Sequence, residues 1–223
     1  MRQFQLFAHL SADIMLELAA EARVLEYRAG EYLWRQGEQN HRVLFIEQGL
    51  AIASRQVREG VSRTYGLFGP GDSMGIHAIW AGMSYPTDAL VLSDGLTAIQ
   101  LNTSALVQCA QRKSELAEPL LVEIGRFTES FIRKIDIVSA GTVPQRVAAL
   151  MSMLMARHGI VKGENEARLP FRLTLEQISS IVDSRLETVA RVLAAWKRQG
   201  WLRIDADGFH FGQLDRLAAL LAD

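Results

Sequence analysis

The chain has 223 residues, of which 49% are hydrophobic and 22% are charged, and its formal net charge is −1. These values are typical of a globular protein with one large domain or two small ones, and any basic surface must be local. No apolar run reaches the roughly 18 residues of a membrane span, and the first residues show no signal-peptide pattern, so we expect a cytoplasmic protein without membrane contact. The single cysteine, Cys109, excludes an intramolecular disulfide and a cysteine-ligated iron–sulfur cluster.

The segment from about residue 24 to residue 100 consists of short runs of β-branched and aromatic residues separated by turn signals. Three such runs are 43–46, 50–53 and 97–101. Two of the turn signals are Gly69-Pro70-Gly71-Asp72 and Asp94-Gly95. Many short strands at close spacing predict an antiparallel barrel or sandwich, preceded by a short helix with Ser11 as its N-cap.

A run without proline or turn pairs extends from Leu120 to Ala140 and predicts a long helix. Its apolar positions are spaced 4, 3, 4, 4 and 3 residues apart: Leu120, Ile124, Phe127, Phe131, Ile135 and Val138. Charged residues lie between them, so the pattern is close to the seam of a coiled coil and favours a dimerisation helix. The alternative is a core helix that packs on the β domain. Pro144 then marks a hinge before another helix.

Two short helices follow near the C-terminus. Thr174 and Gln177 have the spacing of a capping box, which predicts a helix start. A turn around Asp183-Ser184 leads to a second helix, whose apolar side includes Val189 and Val192. Two short helices joined by a short turn are the helix-turn-helix arrangement.

The second helix presents Glu187, Ala190 and Arg191 on one face, because they are three and four residues apart. A carboxylate can accept a hydrogen bond from cytosine N4, a guanidinium can bridge guanine O6 and N7, and a methyl group can contact thymine. Positive charge lies just beyond, where phosphates would be, at Lys197, Arg198 and Arg203. The alternative is a solvated ion pair between Glu187 and Arg191 on an ordinary surface helix.

The last part of the chain predicts a wing. Residues 201–204 and 209–211 flank the turn signal Asp207-Gly208, which is typical of a β-hairpin. Residues 213–222 should form a closing helix.

The chain resembles the CRP/FNR superfamily of bacterial transcription regulators over essentially its whole length. The resemblance rests on four segments: 29–31 with 35–38, 45–49, 69–72 with Gly75, and 186–191. It implies an α+β fold with a cyclic-nucleotide-binding-like β jelly-roll barrel, a long dimerisation helix and a winged helix-turn-helix. The corresponding ranges are 1–113, 114–141 and 142–223. It also implies a homodimer that binds double-stranded DNA at an inverted repeat, and it leaves RNA polymerase open as a further partner.

The resemblance assigns DNA contacts to one set of residues around the second helix: Thr174, Arg185, Leu186, Glu187, Thr188, Ala190, Arg191 and Lys197. In the family, the residues that match Glu187 and Arg191 read base edges. Arg185 stands at the family's N-cap position and is a poor cap, so Ser184 is an alternative cap. Leu186 stands where the cyclic-AMP-type members carry an arginine, so the operator should differ from theirs.

The resemblance places the effector pocket at six candidate residues: Gly75, Ile76, His77, Thr87, Phe127 and Phe131. Cyclic AMP and cyclic GMP are not expected, because Ile76 and Pro86 stand where cyclic-nucleotide members carry a ribose-binding glutamate and a phosphate-binding arginine. The small-molecule effector therefore stays unidentified.

We predict no cofactor, no metal site and no catalytic residues. One alternative is a haem-based gas sensor, since His77 matches the haem histidine of the carbon-monoxide-sensing member, although Gly75 replaces its cysteine. The other is a regulatory module whose C-terminal domain binds a protein rather than DNA.

Overall fold

The computed structural model describes residues 1–58, 61–79 and 83–222. The chain divides into two compact units, Met1–Phe131 and Ile132–Asp223. Among the described residues, no helix combines the length and apolar character that a membrane crossing needs.

The N-terminal unit contains two four-stranded antiparallel sheets. The first has the order β1-β8-β3-β6 and consists of β1 (Arg23–Arg28), β8 (Gly95–Asn102), β3 (Arg42–Gln48) and β6 (Ser73–Met74). The second has the order β2-β7-β4-β5 and consists of β2 (Tyr32–Trp34), β7 (Asp88–Val91), β4 (Ala51–Arg58) and β5 (Val61–Phe68). Side chains of both sheets meet in one hydrophobic core, which confirms the predicted β barrel.

The turn between β3 and β4 shows why glycine is required at this corner of the barrel. Gly49 has a φ of +87°, a region that side chains with a Cβ rarely adopt. A Cβ there would also lie 2.3 Å from the carbonyl oxygen of Gly95, so the two chain segments approach too closely for any other residue.

Three helices belong wholly or partly to this unit: α1 (Ala12–Ala20), α2 (Thr103–Arg112) and α3 (Ala117–Ser139). The first begins after Ser11, as predicted, although the Ser11 side chain makes no capping bond. The second was not predicted. It begins where the Asn102 side chain accepts a hydrogen bond from the backbone N–H of Ser104 at 2.9 Å.

The long helix α3 packs part of the predicted dimer seam against the β domain of its own chain. Leu120 is fully buried and Phe127 is 9% exposed in the core of the N-terminal unit, and Ile124 and Phe131 pack against that core. Leu120 and Phe127 therefore belong to the core of their own chain, and their assignment to a dimer interface was wrong. Ile124 and Phe131 are only partly buried, and their assignment to the interface stays a prediction. Ile135 is 58% exposed and Val138 is half-buried. The Phe127 side of the helix is buried because its large aromatic side chains face the sheets.

The C-terminal unit combines helices with a third antiparallel sheet. Its helices are α4 (Val143–His158), α5 (Leu175–Ile181), α6 (Leu186–Arg198) and α7 (Asp215–Ala222). Its sheet has the order β11-β12-β10-β9, with β9 (Ile160–Gly163), β10 (Glu166–Leu169), β11 (Leu202–Asp205) and β12 (Gly208–Phe211). The hairpin β11–β12 confirms the predicted wing, whereas the hairpin β9–β10 was not predicted.

The start of α4 confirms the predicted break at Pro144. Thr142 and Gln145 form a capping box, and Pro144 lies in the first turn, where its missing N–H costs nothing. Val147, Leu150 and Met151 of this helix are fully buried, so the helix forms the centre of the C-terminal core.

Candidate nucleic-acid interface

The helix-turn-helix is formed by α5, a tight turn and α6. The backbone N–H of Thr174 donates to Gln177 Oε1 at 2.7 Å, and the N–H of Gln177 donates to Thr174 Oγ1 at 3.2 Å, which confirms the capping box. In the turn, Asp183 adopts a φ of +49°, and the N–H of Ser184 donates to the carbonyl of Ser179 at 3.0 Å. This left-handed residue reverses the chain and sends it into α6.

A buried lysine of α3 is fixed to this turn. Lys134 is 8% exposed, and its ammonium group donates to the carbonyl oxygen of Ile181, the last residue of α5. The same Nζ lies 3.7 Å from Asp183 Oδ2. A lysine ammonium group interacts favourably with the carbonyl groups that are left without partners at the C-terminal end of a helix. Lys134 therefore holds the left-handed turn in place. In the sequence, Lys134 is one of the charged residues between the apolar positions of the predicted dimerisation helix.

We expect Lys134→Met to lower the free energy of unfolding by about 1–3 kcal/mol, because the Ile181 carbonyl loses its charged donor inside the protein. Thermal denaturation followed by circular dichroism measures the effect. Lys162→Met, at an exposed position of β9, is the matched control. Equal unfolding midpoints for the two variants would show that the Lys134 contact contributes nothing to stability.

The helix α6 is anchored by its apolar side. Val189 is fully buried, and Val192, Leu193 and Trp196 are each less than 9% exposed. The opposite face is open to solvent, with Glu187 and Arg191 exposed and Ala190 half-buried. A helix held in this way presents a rigid row of side chains, as major-groove readout needs.

The charged pair on this face is open to an external partner. The alternative interpretation of the sequence requires an ion pair between Glu187 and Arg191. The described part of the structure contains no such ion pair. The Arg191 guanidinium makes a long contact of 3.4 Å with Thr188 Oγ1 on the same helix. Both side chains therefore retain donors and acceptors for base edges.

The start of α6 resolves the question of its cap. Arg185 is the N-cap, and its side chain makes no capping bond, so the alternative with Ser184 as the cap was wrong. The exposed Arg185 side chain and the half-buried Leu186 lie at the entrance of the helix, beside Glu187. The Arg185 guanidinium is consequently free of a capping role.

Further candidates for phosphate contacts lie near both ends of the helix-turn-helix. Lys197 and Arg198 are exposed in the last turn of α6, and Thr174 is exposed at the start of α5. Arg203, in the wing, makes an ion pair with Asp205 at 2.6 Å, so part of its charge is neutralised within the protein. The strongest candidates for phosphate contacts are therefore on the helices rather than on the wing.

The sensor candidates of the N-terminal unit gather around one aromatic cluster. The His77 ring stacks on Phe127, with centroids 4.5 Å apart, and Phe127 contacts Phe68 at 5.5 Å and Phe131 at 5.1 Å. Ile76, next to His77, is fully buried. The cluster joins the short 3₁₀ turn Ile76–Ala78 to the long helix α3.

Two candidates lie apart from this stack. Gly75 has a φ of +86°, and a Cβ there would lie 2.8 Å from the Arg42 carbonyl oxygen, so its role is to allow close backbone approach. The Thr87 carbonyl accepts a hydrogen bond from Trp34 Nε1 at 3.1 Å. Trp34 in turn stacks on Tyr85 at 4.1 Å, an aromatic pair that the sequence analysis missed.

Burial lowers the pKa of His77 below its ordinary value of 6.5, because the buried site disfavours the charged ring. Among the described residues, neither ring nitrogen has a hydrogen-bond partner. The unfolded chain therefore takes up this proton near pH 6.5, and the folded protein takes it up only at lower pH. The stability associated with neutral His77 is complete above pH 6.5 and is lost as the pH falls below it.

We expect His77→Phe, which keeps a stacking ring but cannot titrate, to reduce the loss of stability between about pH 7.5 and pH 5. Thermal unfolding midpoints of the wild type and the variant across this range measure the difference. His41→Phe, at an exposed position, is the control. Parallel pH profiles for the wild type and His77→Phe would contradict the burial of a neutral ring.

Comparisons with known proteins match both units. The profile described as "Cyclic nucleotide-binding domain" matches residues 24–113, and the profile described as "Crp-like helix-turn-helix domain" matches residues 145–220. The chain is 24% identical to a "CRP-like cAMP-activated global transcriptional regulator" of Mycobacterium tuberculosis over 213 residues, which are 96% of this chain and 94% of that protein.

Two solved structures show the same fold. FixK2 from Bradyrhizobium japonicum has a TM-score of 0.74 at 20% identity, with 89% of this chain and 96% of that chain covered. The c-di-GMP responsive global regulator CLP of Xanthomonas campestris has a TM-score of 0.70 at 16% identity, with 90% and 99% covered.

Proposed function

Because the chain belongs to the CRP/FNR family of transcription regulators, we propose that it binds an inverted-repeat DNA operator as a homodimer in the cytoplasm. The family consists of regulators and not of enzymes. The observation that carries the proposal is the exposed face of α6, where Glu187 and Arg191 lie outside any mutual ion pair. On this proposal Glu187 accepts from a cytosine and Arg191 donates to a guanine.

The remaining DNA contacts fix the position of α6 on the duplex. Thr174, Arg185 and Lys197 are exposed around the helix-turn-helix and would bind phosphates, while Thr188 and Ala190 would lie along the groove. Leu186 offers an apolar contact at the position where cyclic-AMP-type members carry an arginine.

The homodimer would form through the exposed stripe of α3. Its members are spaced 4, 3, 4, 3 and 4 residues apart: Leu121, Gly125, Thr128, Ile132, Ile135 and Ser139. Ile132 and Ile135 are 53% and 58% exposed, and Leu121 is 69% exposed. A heptad-like row of small and apolar residues is suited to the same row of a second copy. Of the residues first assigned to the seam, Ile135 belongs to this row.

The N-terminal domain would bind a small effector near the aromatic cluster of His77, Phe127 and Phe131. The M. tuberculosis relative is named for activation by cAMP, but two features here argue against that ligand. The buried Ile76 cannot accept a bond from a ribose hydroxyl, and the exposed Pro86 carries no charge for a phosphate. An effector would act by binding one conformation of the dimer more tightly and shifting its population.

Haem is not included in this proposal. Both ring nitrogen atoms of His77 are buried among the described residues, so a haem iron could reach either of them only if the surrounding side chains moved. These residues do not fit a haem in the arrangement described.

Selection of bound sequences from a random double-stranded DNA pool tests the proposal. The purified protein is used without an added effector, at a stated salt concentration, because phosphate contacts make affinity depend on salt. Enrichment of an inverted repeat with half-sites about one helical turn apart supports a dimeric operator. Failure to enrich any sequence, also in the presence of candidate effectors, counts against it.

A further inference from the structure

A cleft of about 670 Å³ lies between α6 and α7 in the C-terminal unit. Its lining includes Arg191, Trp196, Trp201, Arg216, Ala219 and Leu220. This volume is within the range of about 300–1,000 Å³ that is usual for pockets that bind small molecules. The cleft is distinct from the aromatic cluster of the N-terminal domain, and DNA recognition as proposed uses two of its lining residues, Thr188 and Arg191.

The apolar part of the cleft is built on a packed pair of tryptophans. Trp196 and Trp201 contact each other with ring centroids 4.5 Å apart and are 4% and 3% exposed. The Trp201 Nε1 donates to Gln199 Oε1 at 2.8 Å, which fixes the orientation of its indole. Two packed indoles and the aliphatic side chains around them favour an aromatic or aliphatic ligand body.

The charged part of the cleft consists of two arginines. Arg191 and Arg216 are both exposed, and no aspartate or glutamate is among the described residues that line the cleft. Arg216 Nε donates to Gln213 Oε1 at 3.0 Å, and among the residues that the structure describes Arg191 contacts only Thr188, at 3.4 Å. Each guanidinium has several N–H donors, so most of them are available to an anion.

We propose that this cleft binds a small molecule with an aromatic or aliphatic body and one anionic group, such as an aryl carboxylate. The body packs against Ala219, Leu220 and the accessible edges of the tryptophan pair, and the anionic group accepts hydrogen bonds from Arg216 and Arg191. A second consequence rests on the proposed DNA readout: since Arg191 belongs to both surfaces, a bound anion and a DNA base compete for it. The cleft is thus a site where a metabolite can reduce operator binding directly.

The binding test uses 1-anilinonaphthalene-8-sulfonate, an aromatic anion, and follows energy transfer from tryptophan to the probe in the full-length protein without DNA. We expect saturable binding that Ala219→Trp, which fills the cleft, abolishes. Ala218→Trp is the matched control, because Ala218 is exposed on the same helix and does not line the cleft. Equal binding by both variants, or no binding by the wild type, would overturn the proposed site.

The charge preference is tested separately. Arg216→Gln should weaken binding of the sulfonate probe by about tenfold or more, the usual loss for a charged hydrogen bond. It should leave the affinity for the uncharged analogue N-phenyl-1-naphthylamine unchanged. An equal loss for both probes would show that the cleft is merely apolar and has no anion site.

Competition with DNA separates this inference from the proposed function. The sulfonate probe should displace the selected operator from the wild type and not from Ala219→Trp. Probe binding at the cleft without displacement contradicts the competition but leaves the ligand site standing. If the protein selects no operator at all, the proposed function is contradicted. The probe titration still tests whether the cleft binds a ligand.

Discussion

Arg191→Ala is expected to weaken binding to the selected operator by roughly tenfold to 100-fold, equivalent to ~1–3 kcal/mol. The reason is geometric. Arg191 is exposed on a helix whose other face is anchored by Val189 and Val192, so its guanidinium can approach guanine O6 and N7 without rearrangement of the helix. Fluorescence anisotropy with a labelled operator, at one fixed salt concentration, measures the change.

Lys197→Ala provides the contrast for this prediction. Lys197 is exposed in the last turn of α6, where a phosphate contact is expected. Its removal should weaken binding to the operator and to unrelated DNA alike and should reduce the salt dependence. Arg191→Ala, by comparison, should weaken binding to the operator much more than binding to unrelated DNA. Unchanged operator affinity in a folded Arg191→Ala protein would mean that α6 does not read bases through this side chain.

The second large effect is expected from the double variant Ile132→Glu with Ile135→Glu. Two carboxylates placed opposite their copies in the row of α3 repel each other and cannot be buried without partners. The protein should become monomeric in sedimentation experiments. Operator affinity should then fall by about 100-fold or more, because the two half-sites are no longer bound by one linked pair of helices.

Val161→Glu is the control for the dimer prediction. Val161 lies on β9 and is 78% exposed, so a carboxylate added at this position should leave the assembly and the operator affinity intact. If the double variant remains dimeric, the exposed row of α3 is not the contact between the two copies.

The parts of the fold that could be predicted are those with strong local signals. The capping box at Thr174, the turn at Asp183 and the turn signal Asp207-Gly208 each fix the backbone within a few residues, so the helix-turn-helix and its wing followed from the sequence. The helix α2 and the hairpin β9–β10 lack comparably strong signals, and tertiary packing determines them.

The spacing of apolar residues alone could not show which face of α3 is buried against the β domain. The helix carries two stripes that are one residue apart, one with Leu120 and Phe131 and the other with Leu121 and Ile132. Both have intervals of three and four residues, so each satisfies the helical pattern. Contacts with His77 and Phe68, from distant parts of the chain, decide that the aromatic stripe is buried.

In the candidate site, too, features with a local sequence pattern were predicted, and contacts between distant residues were not. Glu187 and Arg191 were assigned from their spacing on one helix, and their exposure is consistent with that assignment. The contact between Lys134 and the carbonyl of Ile181 joins residues 47 positions apart, so no local pattern could indicate it. The cleft between α6 and α7 likewise arises only when Trp196, Trp201 and the last helix come together.

Base readout by Arg191 is tested most directly by replacing one nitrogen atom of the DNA with a C–H group. The guanine of interest is the one whose preference is lost when the selection is repeated with Arg191→Ala, and it is replaced by 7-deazaguanine, which lacks the N7 acceptor. We predict that this replacement weakens binding of the wild type and leaves the affinity of Arg191→Ala unchanged, because the variant no longer contacts N7. An equal loss for both proteins would contradict the claim that α6 recognises its operator through Arg191.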